Sequence, residues 1–233
     1  MIYRKHFRLS SSQHLIANRL TGLAVLIATL TFISASTWAT ESSPNQITQL
    51  KRAVVIITTY DATGIALLQG SGFFINANEV ATSLHVIKGA NQIRIETFAG
   101  TTVTVKSVVA TSQEADLALL RLAEPCPNSE ILQLVATPPH EGEPVMLVSS
   151  PQGSRWKITR GNVGLLWEFS GFRTRLQITA EIAPGSSGGP VLNEQGQVVG
   201  IAALYVNSAE DLNFAVPVAS LRKLEAQARL AGD

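Results

Sequence analysis

Apolar residues recur along this chain in short runs, many of them alternating with polar residues at every second position. Gln92–Phe98 sets Ile93 and Ile95 beside Arg94 and Glu96, and Thr102–Lys106 alternates Val103 and Val105 with polar neighbours. A period of two marks a strand with one buried face. Ala53–Tyr60 is rich in β-branched residues, Gly70–Ile75 enters on glycines, and Asp116–Leu122 is almost wholly apolar. The run from Val80 reads as a further strand, with His85 at its end. Beyond residue 140, Pro144–Ser149, Trp156–Val163, Thr174–Thr179, Pro190–Leu192, Gln197–Val206 and Leu212–Val218 continue the pattern. Short strands at this spacing, separated by turn residues, predict an all-β sandwich or barrel.

Between the two groups of strands, Glu124–His140 carries Pro125, Pro127, Pro138 and Pro139 and predicts a connector. Helical signals occur at the two ends of this body. Ser43 and Pro44 read as the cap and first turn of a short helix with Ile47 and Leu50 on one side. Ser220–Leu230 puts Leu221, Leu224 and Ala228 on one face, which predicts a helix packed on the second β unit.

The first forty residues follow a different pattern. Basic side chains come first, then the apolar run Leu23–Ile33, then the small and polar stretch Ser34–Thr40. This order predicts a secretory signal cleaved near Thr37-Trp38-Ala39, with an uncleaved membrane anchor over Thr21–Ala39 as the alternative. Either outcome exports the body, to the periplasm or the medium, because the positive charge stays inside.

Charge adds little beyond this. The whole chain has 18 basic and 17 acidic side chains, and Arg4, Lys5, Arg8 and Arg19 all lie in the leader, where no acid occurs. The exported body is therefore net acidic, which disfavours nucleic acid as a partner. No metal-ligand spacing is visible, and nothing calls for a cofactor. Cys126 is the single cysteine, so no disulfide can form within the chain and the core alone must hold the fold. Its place between Pro125 and Pro127 does not suggest a nucleophile.

The chemistry centres on Ala183-Pro-Gly-Ser-Ser-Gly-Gly-Pro190, a glycine-rich turn between two strand-like runs. Such a turn can aim several backbone amides at one point beside a serine hydroxyl, as acyl transfer requires. It can equally be a tight strand connection and nothing more. A nucleophilic serine needs a base, and His6, His14 and His140 lie in the leader and the connector. His85 is the remaining candidate. Asp116, opening an apolar run, is the candidate acid that orients it.

Thr82-Ser-Leu-His85, Asp116-Leu-Ala-Leu-Leu120 and Gly185-Ser-Ser-Gly-Gly-Pro190 resemble, in order, the His, Asp and Ser motifs of trypsin-like (chymotrypsin-fold) serine peptidases. Gly70-Ser-Gly-Phe-Phe-Ile75 and Asn213-Phe-Ala-Val-Pro217 resemble the disulfide-free HtrA/Deg-type branch. The resemblance extends from about Ala53 to Val218. It implies an all-β fold of two six-stranded antiparallel barrels with the site in the cleft between them, followed by a short C-terminal helix. The expected divisions are a leader over 1–39 and a peptidase domain over 40–233. Within the latter, the first barrel covers about 53–123, the connector 124–140, the second barrel about 141–219 and the helix 220–231.

The resemblance also implies roles. Ser187 would attack the scissile carbonyl of a protein or peptide substrate, with His85 as base and Asp116 fixing its tautomer. The N–H groups of Gly185 and Ser187 would form the oxyanion hole. The alternative is a binding or scaffold protein that kept the fold without the chemistry. Ser186 stands where HtrA/Deg-type motifs usually have Asn, and the resemblance implies that the nucleophile would be the serine next to the Gly-Gly pair, Ser187. Glu181, six residues before Ser187, would lie near the floor of the specificity pocket and favour Lys or Arg before the cut. Otherwise it turns outward to Arg173 or Arg175 and leaves a small apolar pocket. The fifteen residues after Val218 predict no PDZ-like module, and the short Tyr60–Gly70 stretch predicts no long regulatory loop.

Overall fold

The computed structural model describes residues 44–152, 154–169, 173–206 and 212–232. Helix α1 (Pro44–Arg52) leads into strands β1 (Val54–Tyr60), β2 (Ala66–Asn76) and β3 (Glu79–Ser83), then the single turn α2 (Leu84–Ile87). Strands β4 (Gln92–Glu96), β5 (Thr102–Ser112) and β6 (Leu117–Leu122) complete the first half. The second half holds β7 (Pro144–Ser149), β8 (Lys157–Phe169), β9 (Arg173–Ile178), β10 (Pro190–Leu192), β11 (Val198–Val206) and β12 (Leu212–Pro217), followed by α3 (Val218–Gly232). Each half closes as a six-stranded barrel, in the orders β1-β2-β3-β6-β5-β4 and β10-β11-β12-β9-β8-β7. All the pairings are antiparallel.

Alternation along the strands builds three cores. In β1, Val55 and Ile57 fill the first barrel, while Val54 and Ile56 belong to a core shared by both barrels. Phe74 and Phe73 divide in the same way, as do Leu120 and Leu119. In the second barrel Val145 and Leu147 point inward, and Met146 and Val148 join the shared core. A strand covered on both faces carries apolar residues at successive positions, each worth roughly 1.5–3 kcal/mol when fully buried. Trp156 wedges into the shared core at φ 49°, and its Nε1–H donates to Val54 O at 3.0 Å. That bond supplies the partner a buried indole requires.

The connector is tied to both barrels. Cys126 N–H donates to Ala77 O (2.8 Å) and Leu132 N–H to Phe74 O (3.2 Å). Farther on, Val135 N–H donates to Val198 O, and Val198 N–H to Gln133 O. Several elements run past the bounds that alternation predicts. β2 begins at Ala66, β5 continues to Ser112 through two register shifts, and β8 extends to Phe169. Their extra residues are largely exposed and lack an apolar period, so backbone pairing alone reveals them. Helix α3 also differs from expectation. Leu221 and Leu224 enter the shared core, and the helix lies against β5 and β6 of the first barrel as well as β11 and β12 of the second. Ser43 and the leader lie outside the described residues.

Candidate active site

His85 sits on α2, not on a strand end. Strand β3 pairs with β6 so that Ser83 faces Leu117, and the chain turns into α2 immediately afterwards. This register brings residues 84 and 85 onto Asp116, which stands just before β6 at φ 62°. Aspartate tolerates that left-handed conformation better than most residues. Three bonds hold it there. Leu84 N–H donates to Asp116 O (3.0 Å), His85 N–H donates to Oδ1 (2.9 Å), and His85 Nδ1 lies 2.6 Å from Oδ2. A carboxylate can only accept, so Nδ1 carries a ring proton, and the neutral form of the ring presents its lone pair on Nε2. The His85 side chain remains 43% exposed.

The glycine-rich turn approaches from the second barrel. Gly188 N–H donates to Ala202 O (2.7 Å) and Ala202 N–H returns a bond to Gly189 O (2.9 Å), clipping the turn to β11. Ser71 N–H, on β2 of the first barrel, donates to Ser187 O (2.8 Å). The fit at this seam needs glycine. A Cβ on Gly188, already at φ 86°, would lie 2.2 Å from Ser71 O and 2.4 Å from Thr82 Oγ1. A Cβ on Gly70 would meet the Val86 methyls at 2.6 Å and Ser187 O at 3.2 Å, so the residue after His85 and the Ser187 carbonyl flank the same α-carbon.

The two serines face opposite ways. Ser186 is 2% exposed, its Oγ bonded to Ser149 Oγ (3.1 Å) and approached by Ala183 N–H (3.3 Å). Ser187 is only partly buried, and its Oγ makes a long 3.5 Å contact with Ala203 O and no hydrogen bond to His85.

Backbone pairing in the turn is uneven. Gln152 N–H holds Pro184 O (2.8 Å), and Gly189 N–H holds Ser186 O (3.0 Å). In a trans peptide the N–H points opposite to the C=O, so these grips also fix the directions of the Gly185 and Ser187 N–H groups. Among the described residues, neither of those two N–H groups donates to a protein acceptor. The intervening peptide is satisfied at both ends, Gly185 O by Ser71 Oγ (2.8 Å) and Ser186 N–H by Ala183 O (2.9 Å). Two unpaired donors therefore flank one partly exposed hydroxyl. An oxyanion site needs that arrangement.

The structure brings His85 and Asp116 into contact, while Gly185 and Ser187 share the turn. Glu181 is apart from them. Its side chain is 65% exposed and pairs with Lys157 Nζ at 2.9 Å, a partner that sequence reading did not offer. Arg175 is buried and donates to Thr174 O. Burial pushes the Cys126 thiol up, away from the thiolate form that a nucleophile needs. Ser71, Ser150 and Gln152 were missed as positioning groups. Ser71 lies in the Gly70–Ile75 stretch that carries a family resemblance, but that stretch signals only a polar residue between two glycines in an apolar strand and no role for its hydroxyl.

Comparison with known proteins agrees with the fold and the motifs. The family model for a trypsin-like peptidase domain matches residues 70–201. Protease Do-like 1, chloroplastic, of Arabidopsis thaliana is 32% identical over 172 residues, covering 69% of this chain and 39% of its own length. The anti-sigma-I factor RsgI9 of Acetivibrio thermocellus is 28% identical over 177 residues, covering 76% of this chain and 25% of its own length. This chain thus spans well under half of either curated relative. Among solved structures, the serine endoprotease from Yersinia pestis superposes with a TM-score of 0.68 at 26% identity, over 81% of this chain and 68% of that one. With two closed barrels, the matched motifs and a matched region covering more than half its length, the chain belongs to the trypsin-like peptidase family, among relatives that include HtrA/Deg-type serine proteases.

Proposed function

We propose that this chain is an exported serine endopeptidase acting on protein substrates through an acyl-enzyme. The observation that carries the reading is the pair of unpartnered N–H groups, Gly185 and Ser187, beside the Ser187 hydroxyl and across the cleft from a carboxylate-held imidazole. Rotation about χ1 turns Ser187 Oγ from Ala203 O toward His85 Nε2, which takes its proton as Oγ attacks the scissile carbonyl. The carbonyl oxygen becomes an oxyanion and accepts from the two N–H groups, each such donor typically contributing ~3–4 kcal/mol. His85 then returns the proton to the leaving amine, and water, deprotonated by the same imidazole, hydrolyses the ester. Asp116 keeps the proton on Nδ1 throughout. No cofactor enters these steps.

The buried position of Ser186 supports Ser187 as the nucleophile. A protease named among the relatives supports a polypeptide substrate. Export rests on the leader sequence over 1–39. Among the described residues no helix is long and apolar enough to cross a membrane. The missing Ser187–His85 bond favours the second reading, a scaffold without activity, though such bonds often tighten only when substrate binds.

A fluorophosphonate probe separates the two. The reading expects one adduct, mapped to Ser187 by mass spectrometry and absent from Ser187→Ala and His85→Ala. A folded protein that takes no label and leaves denatured casein intact is a scaffold. Cell fractionation with N-terminal sequencing tests export and cleavage near residue 39.

A further inference from the structure

Ser71 is wholly buried at the seam between the barrels, and every polar atom it has is used there. Its N–H donates to Ser187 O (2.8 Å), and its carbonyl accepts from Thr82 Oγ1 (2.7 Å). Its hydroxyl accepts from Ser150 N–H at 2.9 Å and lies 2.8 Å from Gly185 O. An N–H can only donate and a carbonyl can only accept. The single hydroxyl proton is therefore committed to Gly185 O. One residue of the first barrel thus holds both the Ser187 carbonyl and the residue that bears the other unpaired N–H.

The grip matters because Gly185 has no intrinsic preference to keep it in place. It sits at φ 95°, and glycine reaches other torsions at little cost. The peptide after Gly185 is fixed by Ser71 Oγ at its carbonyl and by Ala183 O at its N–H. Released at the carbonyl, that peptide can rotate, and because it joins the peptide that Gln152 holds at Pro184 O to the one that Gly189 holds at Ser186 O, the Gly185 and Ser187 N–H groups lose their alignment with each other. A buried carbonyl left without a donor adds its own drive to rearrange.

We propose that Ser71 is a positioning residue: its hydroxyl, donated to Gly185 O across the inter-barrel seam, fixes the Gly185–Ser186 peptide that joins the two peptides bearing the Gly185 and Ser187 N–H groups, and so keeps those two N–H groups aligned as one oxyanion site. This rests on the site reading given under Proposed function. The first barrel then contributes to transition-state stabilisation through Ser71 as well as through His85 and Asp116. Ser71 touches no substrate, so its loss acts on charge development and not on ground-state binding.

The test uses the full chain, a quenched fluorescent peptide spanning a mapped casein cleavage site, and a peptide aldehyde of the same sequence, whose hemiacetal mimics the tetrahedral intermediate. Ser71→Ala should lower kcat by about 30- to 300-fold, somewhat less than outright removal of an oxyanion donor. KM should stay within about threefold, and aldehyde affinity should fall in step with kcat. Thr59→Val removes another buried hydroxyl of the same barrel, one that bonds only Leu68, and controls for lost stability. It should keep kcat within about threefold at a comparable melting temperature.

Should Ser71→Ala not fold, Ser71→Cys, with a weaker donor of similar shape, should show a smaller loss of the same kind. Either folded Ser71 variant with wild-type kcat and aldehyde affinity overturns the proposal, as does a rise in KM alone. Ser187→Ala is the reference. If it cleaves the peptide like wild type, the site reading itself fails; if it is dead while Ser71→Ala is fully active, only the role of Ser71 fails.

Discussion

Asp116 holds His85 at two points, accepting the backbone N–H on Oδ1 at 2.9 Å and meeting Nδ1 with Oδ2 at 2.6 Å. The first bond sets where the histidine sits, and the second sets which ring nitrogen is protonated. Asp116→Asn separates these effects. An amide can keep the backbone bond through its oxygen but presents its NH₂ to Nδ1, pushing the ring proton to Nε2 where the base is needed. We expect kcat to fall by about 10³- to 10⁴-fold with little change in melting temperature, the size seen for this substitution in a triad elsewhere. Peptide hydrolysis and circular dichroism on the same preparation check it. Activity within tenfold of wild type would remove Asp116 from the site.

Adjacent hydroxyls give a sharper test of the nucleophile. Ser186 Oγ is held by Ser149 and Ala183 in a buried residue, whereas Ser187 is partly exposed. Ser186→Ala should cost about 1 kcal/mol of stability through its lost bonds and leave kcat/KM within about tenfold. Ser187→Ala should abolish fluorophosphonate labelling without destabilising the fold. An adduct on Ser186 in the wild type would reverse the assignment.

Much of this arrangement is legible in the sequence, for different physical reasons at different residues. Ile93 and Ile95 alternate with polar neighbours because β4 is partly exposed, so its period shows. β1 and β6 do not alternate, since Val54 and Leu119 are covered by the shared core while Val55 and Leu120 are covered inside the barrel. Unbroken apolar runs fix strands but hide their faces, which leaves sandwich and barrel undivided at that level. The His, Asp and Ser motifs stand out because turn chemistry punctuates them. The role of Ser71 does not, although its stretch is recognisable, because a hydroxyl reaching Gly185 across 114 residues leaves no local pattern. Asp116 reads as the first residue of a strand, but its torsion puts it one step before β6.

Specificity should follow apolar surface. Ala203 O is in long contact with the Ser187 hydroxyl, Ala203 and Ile182 are 8% and 5% exposed, and Ile182 N–H is bonded to Asn213 Oδ1. Glu181 faces Lys157 at the surface. Cleavage sites mapped on denatured casein should therefore carry small or medium apolar residues before the cut. Glu181→Ala should leave that preference and kcat/KM within about threefold, losing only an exposed ion pair worth about 0.2–1 kcal/mol. Cutting confined to Lys and Arg, and abolished by Glu181→Ala, would place the carboxylate in the pocket.

Stability should depend on pH through the helix that bridges the barrels. Glu225 on α3 lies with Glu79 and Arg121 of the first barrel and with Arg229 one turn along its own helix, 4.0 Å away. Burial is the main cause that pushes its carboxyl above the ordinary range; Glu79 adds to this, and Arg229 and Arg222 oppose it. A carboxyl with a raised folded-state pKa binds its proton more tightly folded than unfolded. Its favourable contribution is complete below the unfolded pKa, about 4.3 for glutamate, and is lost as pH climbs through the folded value. Glu225→Gln stays neutral throughout, so it should melt higher than wild type at pH 7 to 8, and the gap should close as pH falls toward about 4. Thermal melts of both proteins across that window decide the matter. A Glu225→Gln variant that melts lower than wild type at pH 7 to 8, with the difference vanishing toward acid, would mean that the ion pair with Arg229, not burial, governs Glu225.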